Sequence, residues 1–108
     1  MVVEIQDVNT LKSGNFLVDF YTQSCAPCRA MQPVLEELSN EFSEVTIAKV
    51  EVTKNPQASH MYGIMSVPTL MVLKDSKIKE VTKGFQSKAM LRALLEKHVR
   101  NGNHRARS

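Results

Sequence analysis

Phe16-Leu17-Val18-Asp19-Phe20-Tyr21, followed shortly by Cys25-Ala26-Pro27-Cys28, is the most informative run of this chain. The first six residues are apolar except for Asp19, the pattern of a central strand covered on both faces. After the cysteines, Met31, Val34, Leu35, Leu38 and Phe42 recur on one helical stripe. Cysteines three apart at a helix start lie about 5–6 Å from each other, inside the window a disulfide needs. Such a pair closes and reopens with little backbone movement. Beside a strand–helix unit, a lone C-x-x-C reads as a redox site rather than a structural staple. Pro27 fits the first helical turn, where its missing N–H is of little consequence. Pro33 lies deeper and is expected to kink the helix.

Working outward, Val2-Val3-Glu4-Ile5 is a short first strand, and Asp7 caps a short helix that Ser13-Gly14-Asn15 breaks. Residues 45–52 form a long strand, Asn55-Pro56 starts a short helix ending near Tyr62-Gly63, and Thr69–Leu73 is another apolar strand. Lys74-Asp75-Ser76-Lys77 is a turn that lacks the Gly a tight hairpin prefers. Ile78–Lys83 returns as a polar edge strand ended by Gly84. Ser87 caps a last helix with Met90, Leu91, Leu94, Leu95 and Val99 on one face, stopped by Asn101-Gly102-Asn103. The order β-α-β-α-β-α-β-β-α predicts an α/β domain whose sheet is parallel early and antiparallel late.

The 108 residues suit one domain, and no apolar run approaches the roughly 18 residues of a membrane span. The first seven residues lack the basic and apolar regions of a signal peptide. With only two cysteines, a cytosolic protein with a transient disulfide is expected. The net charge of +3 comes from 14 Lys and Arg against 11 Asp and Glu. Residues 100–108 hold three of the arginines and no acid, so without them the body balances 11 against 11. That argues against a nucleic-acid surface. The tail reads as a solvated end, or as an electrostatic contact for an acidic partner.

A dithiol that reduces other proteins needs one thiol ionised near neutral pH. Cys25 sits where free backbone N–H groups and the helix dipole stabilise a thiolate. Cys28, one turn inside, is expected to be more buried. Cys25 then attacks a substrate disulfide, and Cys28 resolves the mixed disulfide. Asp19, the ionisable group within the apolar strand, is a candidate proton acceptor for Cys28, with Lys49 as its charge partner. The alternative is that Asp19 faces a polar loop and Lys49 faces solvent. A structural zinc site wants four ligands, whereas His60, His98 and His104 stand singly with no second C-x-x-C. His60 reads as a surface residue, and His98 as a cation suited to a helix end. The six methionines read as core filler, except that Met65 lies near the active surface.

Leu17-Val18-Asp19-Phe20-Tyr21, Cys25-Ala26-Pro27-Cys28, Pro33, Tyr62-Gly63-Ile64, Val67-Pro68-Thr69 and Gly84 occur in the order found in the thioredoxin family, which the chain resembles over roughly residues 2–100. The resemblance implies a thioredoxin fold, a central mixed sheet flanked by helices, as a domain over residues 1–100 with a basic tail over 101–108. It implies Cys25 as nucleophile, Cys28 as resolving thiol, Asp19 as buried base and Lys49 as its neighbour. Pro68 would be cis, Val67 would offer backbone hydrogen bonds to a substrate strand, and Gly84 would admit a close backbone approach. No bound cofactor or metal is implied beyond the Cys25–Cys28 couple. Partners would be disulfide-containing proteins and an upstream thioredoxin reductase, with neither nucleic acid nor membrane, for a monomer. Family members typically read Trp-Cys-Gly-Pro-Cys; here Ser24 stands for the Trp and Ala26 for the Gly, and Tyr21 takes the place of another usual Trp. A more open site around Ser24, Ala26 and Pro27 follows, with poorer recognition by a standard reductase. Two other readings are a thioredoxin-fold binding module with incidental thiols and a disulfide oxidant or isomerase.

Overall fold

Strand β2, Asn15–Tyr21, is buried at every position after Asn15, because both of its edges are paired and both of its faces are covered. The computed structural model describes residues 1–100. Strand β1 (Val3–Glu4) leads through a 3₁₀ turn (Val8–Leu11) into β2, and helix α1 (Ala26–Glu41) follows. Then come β3 (Thr46–Glu51), α2 (Pro56–Tyr62), β4 (Thr69–Lys74), β5 (Lys77–Lys83) and α3 (Lys88–Leu95), which passes into a π-helical turn over Glu96–Arg100. The five strands lie in the order β1-β3-β2-β4-β5. β3 runs parallel to both β1 and β2; β4 is antiparallel to β2, and β5 to β4. The mixed α/β sheet expected from the sequence is therefore present.

Side chains of β2 alternate between two cores, as strand geometry requires. Phe16, Val18 and Phe20 pack with Leu11, Val50, Ala58 and Leu73 on one face. Leu17 packs on the other with Met31, Leu35 and Leu38 of α1, Phe42, and Leu91 and Leu95 of α3. Asp19 shares the parity of Leu17 and so points beneath α1. β5 is the outer strand, and its exposed lysines 77, 79 and 83 discourage pairing with another chain.

Several local expectations change. The first helical turn is 3₁₀, with the Asp7 carboxylate accepting from Asn9 N at 2.9 Å. Pro33 lies inside α1, which runs from Ala26 to Glu41. The last helix is α-helical only to Leu95 and continues as a π-helical turn through Arg100. Met90 is exposed instead of lying on the buried stripe, and only Met31 and Met71 of the methionines serve the core; Met1, Met61, Met65 and Met90 face solvent. His98 meets the carboxylate of Glu80 at 3.0 Å, so a specific acid accompanies the helix end. Asn101, Gly102 and the basic tail lie outside the described residues.

The β4–β5 hairpin turns on Asp75 and Ser76 alone, with φ of 49° and 70°, a two-residue turn with both residues left-handed. Asp75 accommodates this because its carboxylate accepts from Gly14 N at 2.9 Å while its own N–H donates to Gly14 O at 2.9 Å. Ser76 makes no comparable tie to Gly14, and its conformation is unfavourable by about 1–2 kcal/mol for L-residues. Ser76→Gly should stabilise the protein by about 0.5–1 kcal/mol, the extra chain entropy of Gly offsetting part of the relief. A urea midpoint that is unchanged or lower in the variant would contradict this assignment of strain.

Candidate active site

Three segments meet at one end of the sheet. β2 ends at Tyr21, and its loop delivers Cys25 to the start of α1. The pairing Phe20↔Thr69 brings the chain before β4 to the same end, and Thr69↔Lys83 brings Gly84 there as well. The Cys25 backbone is extended (φ −87°, ψ 111°), and its sulfur accepts from Cys28 N at 3.2 Å. Cys25 therefore caps the helix with its own sulfur, where the dipole favours negative charge. Cys25 and Cys28 are joined in a disulfide with Cα atoms 5.2 Å apart. Cys25 is half-buried, while Cys28 is 1% exposed, so the two sulfurs differ in reach.

The loop carrying Cys25 is fixed from several sides. Cys25 N donates to Thr22 O at 3.3 Å, and the Arg29 guanidinium donates to Gln23 O at 2.8 Å. Gln23 N donates to the carboxylate of Glu51 at 3.3 Å. Glu51 also accepts from Thr53 Oγ1 at 2.5 Å and from Lys54 N at 2.9 Å. These donors, the Thr53 hydroxyl first, hold the Glu51 carboxyl below the usual carboxylate range. Sequence reading missed Glu51; its signal is an acid closing an apolar strand immediately before a polar loop.

The Val67–Pro68 peptide bond is cis. Gly84 N donates to Pro68 O at 2.8 Å, and Gly84 has φ of 84°, a conformation suited to glycine. Pro68 is buried and Val67 half-buried, while Met65, 91% exposed, stands beside them, and Phe85 is half-exposed next to Gly84. Ser24, Ala26 and Pro27 are exposed around the disulfide. No indole ring covers this rim, since the chain has no tryptophan.

Asp19 is fully buried, and neither carboxylate oxygen has a hydrogen-bond partner among the described residues. It does not face a polar loop. Burial pushes its carboxyl up from 3.8 to about 7, against the pull of Lys49 and with a further push from Glu4. Lys49 stands in register with Asp19 on β3, but its ammonium makes no hydrogen bond to that carboxylate. It donates to Gln32 Oε1 at 3.2 Å, lies 3.8 Å from Glu4 Oε1, and sits 5.2 Å from the Tyr21 ring centroid. A cleft of about 300 Å³ lined by Tyr21, Thr22, Gln23, Cys28, Arg29, Gln32 and Lys49 opens beside the inner sulfur.

A disulfide at a helix tip, a cis-proline segment at the same end of the sheet and a buried acid on the strand behind form one constellation. The thioredoxin family model matches residues 4–97. This chain belongs to the thioredoxin family. It is 42% identical over 87 residues to thioredoxin of Bacillus subtilis, covering 80% of this chain and 84% of that protein. With thioredoxin of Staphylococcus saprophyticus it shares 38% identity over 102 residues, 91% of this chain and 98% of the relative. The structure superposes on a single-site mutant thioredoxin from Halobacterium salinarum with a TM-score of 0.84 at 29% identity, covering 90% and 89% of the two chains. Membership at this level of identity makes the protein a thiol–disulfide oxidoreductase, a protein-disulfide reductase of the thioredoxin type. Thioredoxins act on disulfide-containing proteins through their own redox-active disulfide, and this chain joins Cys25 and Cys28 in a disulfide. Among the described residues no helix is long and apolar enough to cross a membrane.

Proposed function

We propose that Cys25 is the nucleophile, Cys28 the resolving thiol and Asp19 the proton acceptor in the reduction of protein disulfides. In the reduced protein the Cys25 thiolate attacks one sulfur of a substrate disulfide. A Cys25–substrate disulfide forms and one substrate thiolate leaves, to be protonated. Cys28 then gives its proton to Asp19, and its thiolate attacks Cys25 Sγ. The intramolecular disulfide forms, the second substrate thiolate leaves, and two electrons have passed to the substrate. The observation that carries this order is the graded exposure of the two sulfurs, with the outer one capping α1 and the inner one 1% exposed. Asp19 suits its role because it is buried without a hydrogen-bond partner among the described residues and titrates at about 7, close to working pH.

Val67 and Gly84 present backbone to an extended substrate segment beside Pro68, and Ser24, Ala26 and Pro27 form the exposed rim that the segment crosses. Electrons return from a thioredoxin reductase or similar donor to a monomer working in the cytosol, where a two-cysteine chain keeps its disulfide transient. The same experiment tests the thiols and the donor. Insulin reduction driven by dithiothreitol should fall to the uncatalysed rate in Cys25→Ser. With NADPH and a bacterial thioredoxin reductase as donor, the wild-type protein should turn over more slowly than a family member carrying Trp at the Ser24 position. An undiminished dithiothreitol-driven rate in Cys25→Ser supports the binding-module reading instead. Equal reductase-driven rates would show that the open rim does not affect recycling.

A further inference from the structure

Glu4, Lys49 and Asp19 form a row across three adjacent strands. Glu4 of β1 is in register with Lys49 of β3, and Lys49 is in register with Asp19 of β2. One cation thus stands between two carboxylates. Its ammonium has gone to the outer one: it lies 3.8 Å from Glu4 and donates to Gln32 on α1, while both oxygens of Asp19 have no hydrogen-bond partner among the described residues. Glu4 is itself held in place by the Tyr21 hydroxyl, which donates to its Oε1 at 2.8 Å. The ring of the same tyrosine lies against the ammonium at 5.2 Å. Tyr21 and Gln32 both line the cleft next to Cys28.

We infer that Glu4 is a positioning residue of the thiol chemistry: it draws Lys49 outward, away from Asp19, and so leaves the buried carboxylate free to take the proton of Cys28. The inference rests on the base role proposed for Asp19. Were Glu4 absent, Lys49 would have one carboxylate left in its row, and a direct ion pair would hold Asp19 ionised and weakly basic. The remaining groups do not substitute for Glu4. Glu51 of β3 is occupied by Thr53, Lys54 and Gln23, and Arg29 of α1 by the Gln23 carbonyl. β4 places the apolar Leu70 opposite Asp19. Tyr21 remains a neutral donor, since burial, then its bond to Glu4, pushes its ionisation far up.

The chain has three aspartates, Asp7, Asp19 and Asp75, so aspartate labelled with ¹³C at the carboxyl gives three signals, and Asp19→Asn assigns the buried one. In the oxidised wild-type protein that signal should titrate at about 7. In Glu4→Gln the midpoint should move to lower pH, and in Glu4→Asp, which keeps the charge, it should return toward the wild-type value. Glu4 sits on a largely exposed edge strand, so neither change threatens folding. A purely structural role for Glu4 would leave the midpoint in place. A midpoint unchanged or raised in Glu4→Gln overturns the inference. Decay of a Cys25–substrate mixed disulfide, followed against pH, supplies the second readout, and its acid limb should shift downward in Glu4→Gln. If Asp19→Asn decays as fast as wild type at every pH, the base role fails. If Asp19→Asn is slow while Glu4→Gln leaves both profiles unmoved, the base role stands and the Glu4 inference alone is lost.

Discussion

Asp19→Asn should stabilise the oxidised protein at pH 8 by about 2–4 kcal/mol, a large fraction of the total for a small domain. The reason is the carboxylate's isolation. Asp19 is fully buried, its oxygens have no hydrogen-bond partner among the described residues, and the Lys49 ammonium is turned toward Glu4. An ionised carboxylate in that setting has lost its hydration without replacement. Its folded-state value of about 7 lies above the 3.8 of the exposed group. Between those values the native state holds a proton that the unfolded chain has released. Stability is therefore greatest below 3.8 and declines as pH rises through 7, by about 4 kcal/mol in all. Asparagine removes the charge but keeps an amide without partners, which sets the lower end of the range. The gain should be roughly 3 kcal/mol larger at pH 8 than at pH 5. Urea unfolding at the two pH values reads this directly. An equal effect at both, or a loss of stability at pH 8, would show that Asp19 is solvated or paired.

A lone buried carboxylate without a hydrogen-bond partner among the described residues, under the helix bearing the disulfide, is difficult to explain as packing. Leu70 stands opposite it on β4, and Leu17, two residues before it on the same face of β2, belongs to the apolar core under α1. This was legible early, because a single acid in Phe16–Tyr21 interrupts an otherwise apolar strand. The disulfide was legible too, since the spacing of Cys25 and Cys28 and the helical stripe after them specify a helix start. What the linear pattern could not supply was direction. Lys49 is in register with Asp19, but that its ammonium meets Glu4, Gln32 and Tyr21 depends on three segments far apart in the chain. The roles of Glu4 and Glu51 were missed for the same reason: each is a common charged residue at a strand end until the tertiary fold surrounds it. Periodicity also puts Met90 on the buried stripe of the last helix, yet it lies in the first turn and reaches solvent, while Leu94 and Val99 of the same stripe pack against the core. The Asp75-Ser76 turn, read without a Gly signal, is made by the carboxylate of Asp75 bonding to Gly14, 61 residues away in sequence.

Cys28→Ser should convert a transient encounter into a lasting covalent one. In the wild-type protein the inner sulfur is held one helical turn from the outer, with Cα atoms 5.2 Å apart. Its attack on a Cys25–substrate disulfide is intramolecular and oriented, an advantage over an external thiol that reaches many orders of magnitude in favourable cases. Serine keeps the size and the helix but cannot attack sulfur. The mixed disulfide should then persist for at least on the order of 10³-fold longer, released only by added thiol. Mixed with disulfide-bearing proteins, Cys28→Ser should accumulate adducts that dithiothreitol dissolves, and their identities name the substrates. Cys25→Ser should capture almost none, because the sulfur it retains is 1% exposed and set behind the rim. Wild-type release rates from Cys28→Ser would mean that another nucleophile resolves the intermediate. Comparable capture by Cys25→Ser would reverse the roles of the two sulfurs. Either result would undo the connection between graded exposure at the tip of α1 and the order of bond exchange.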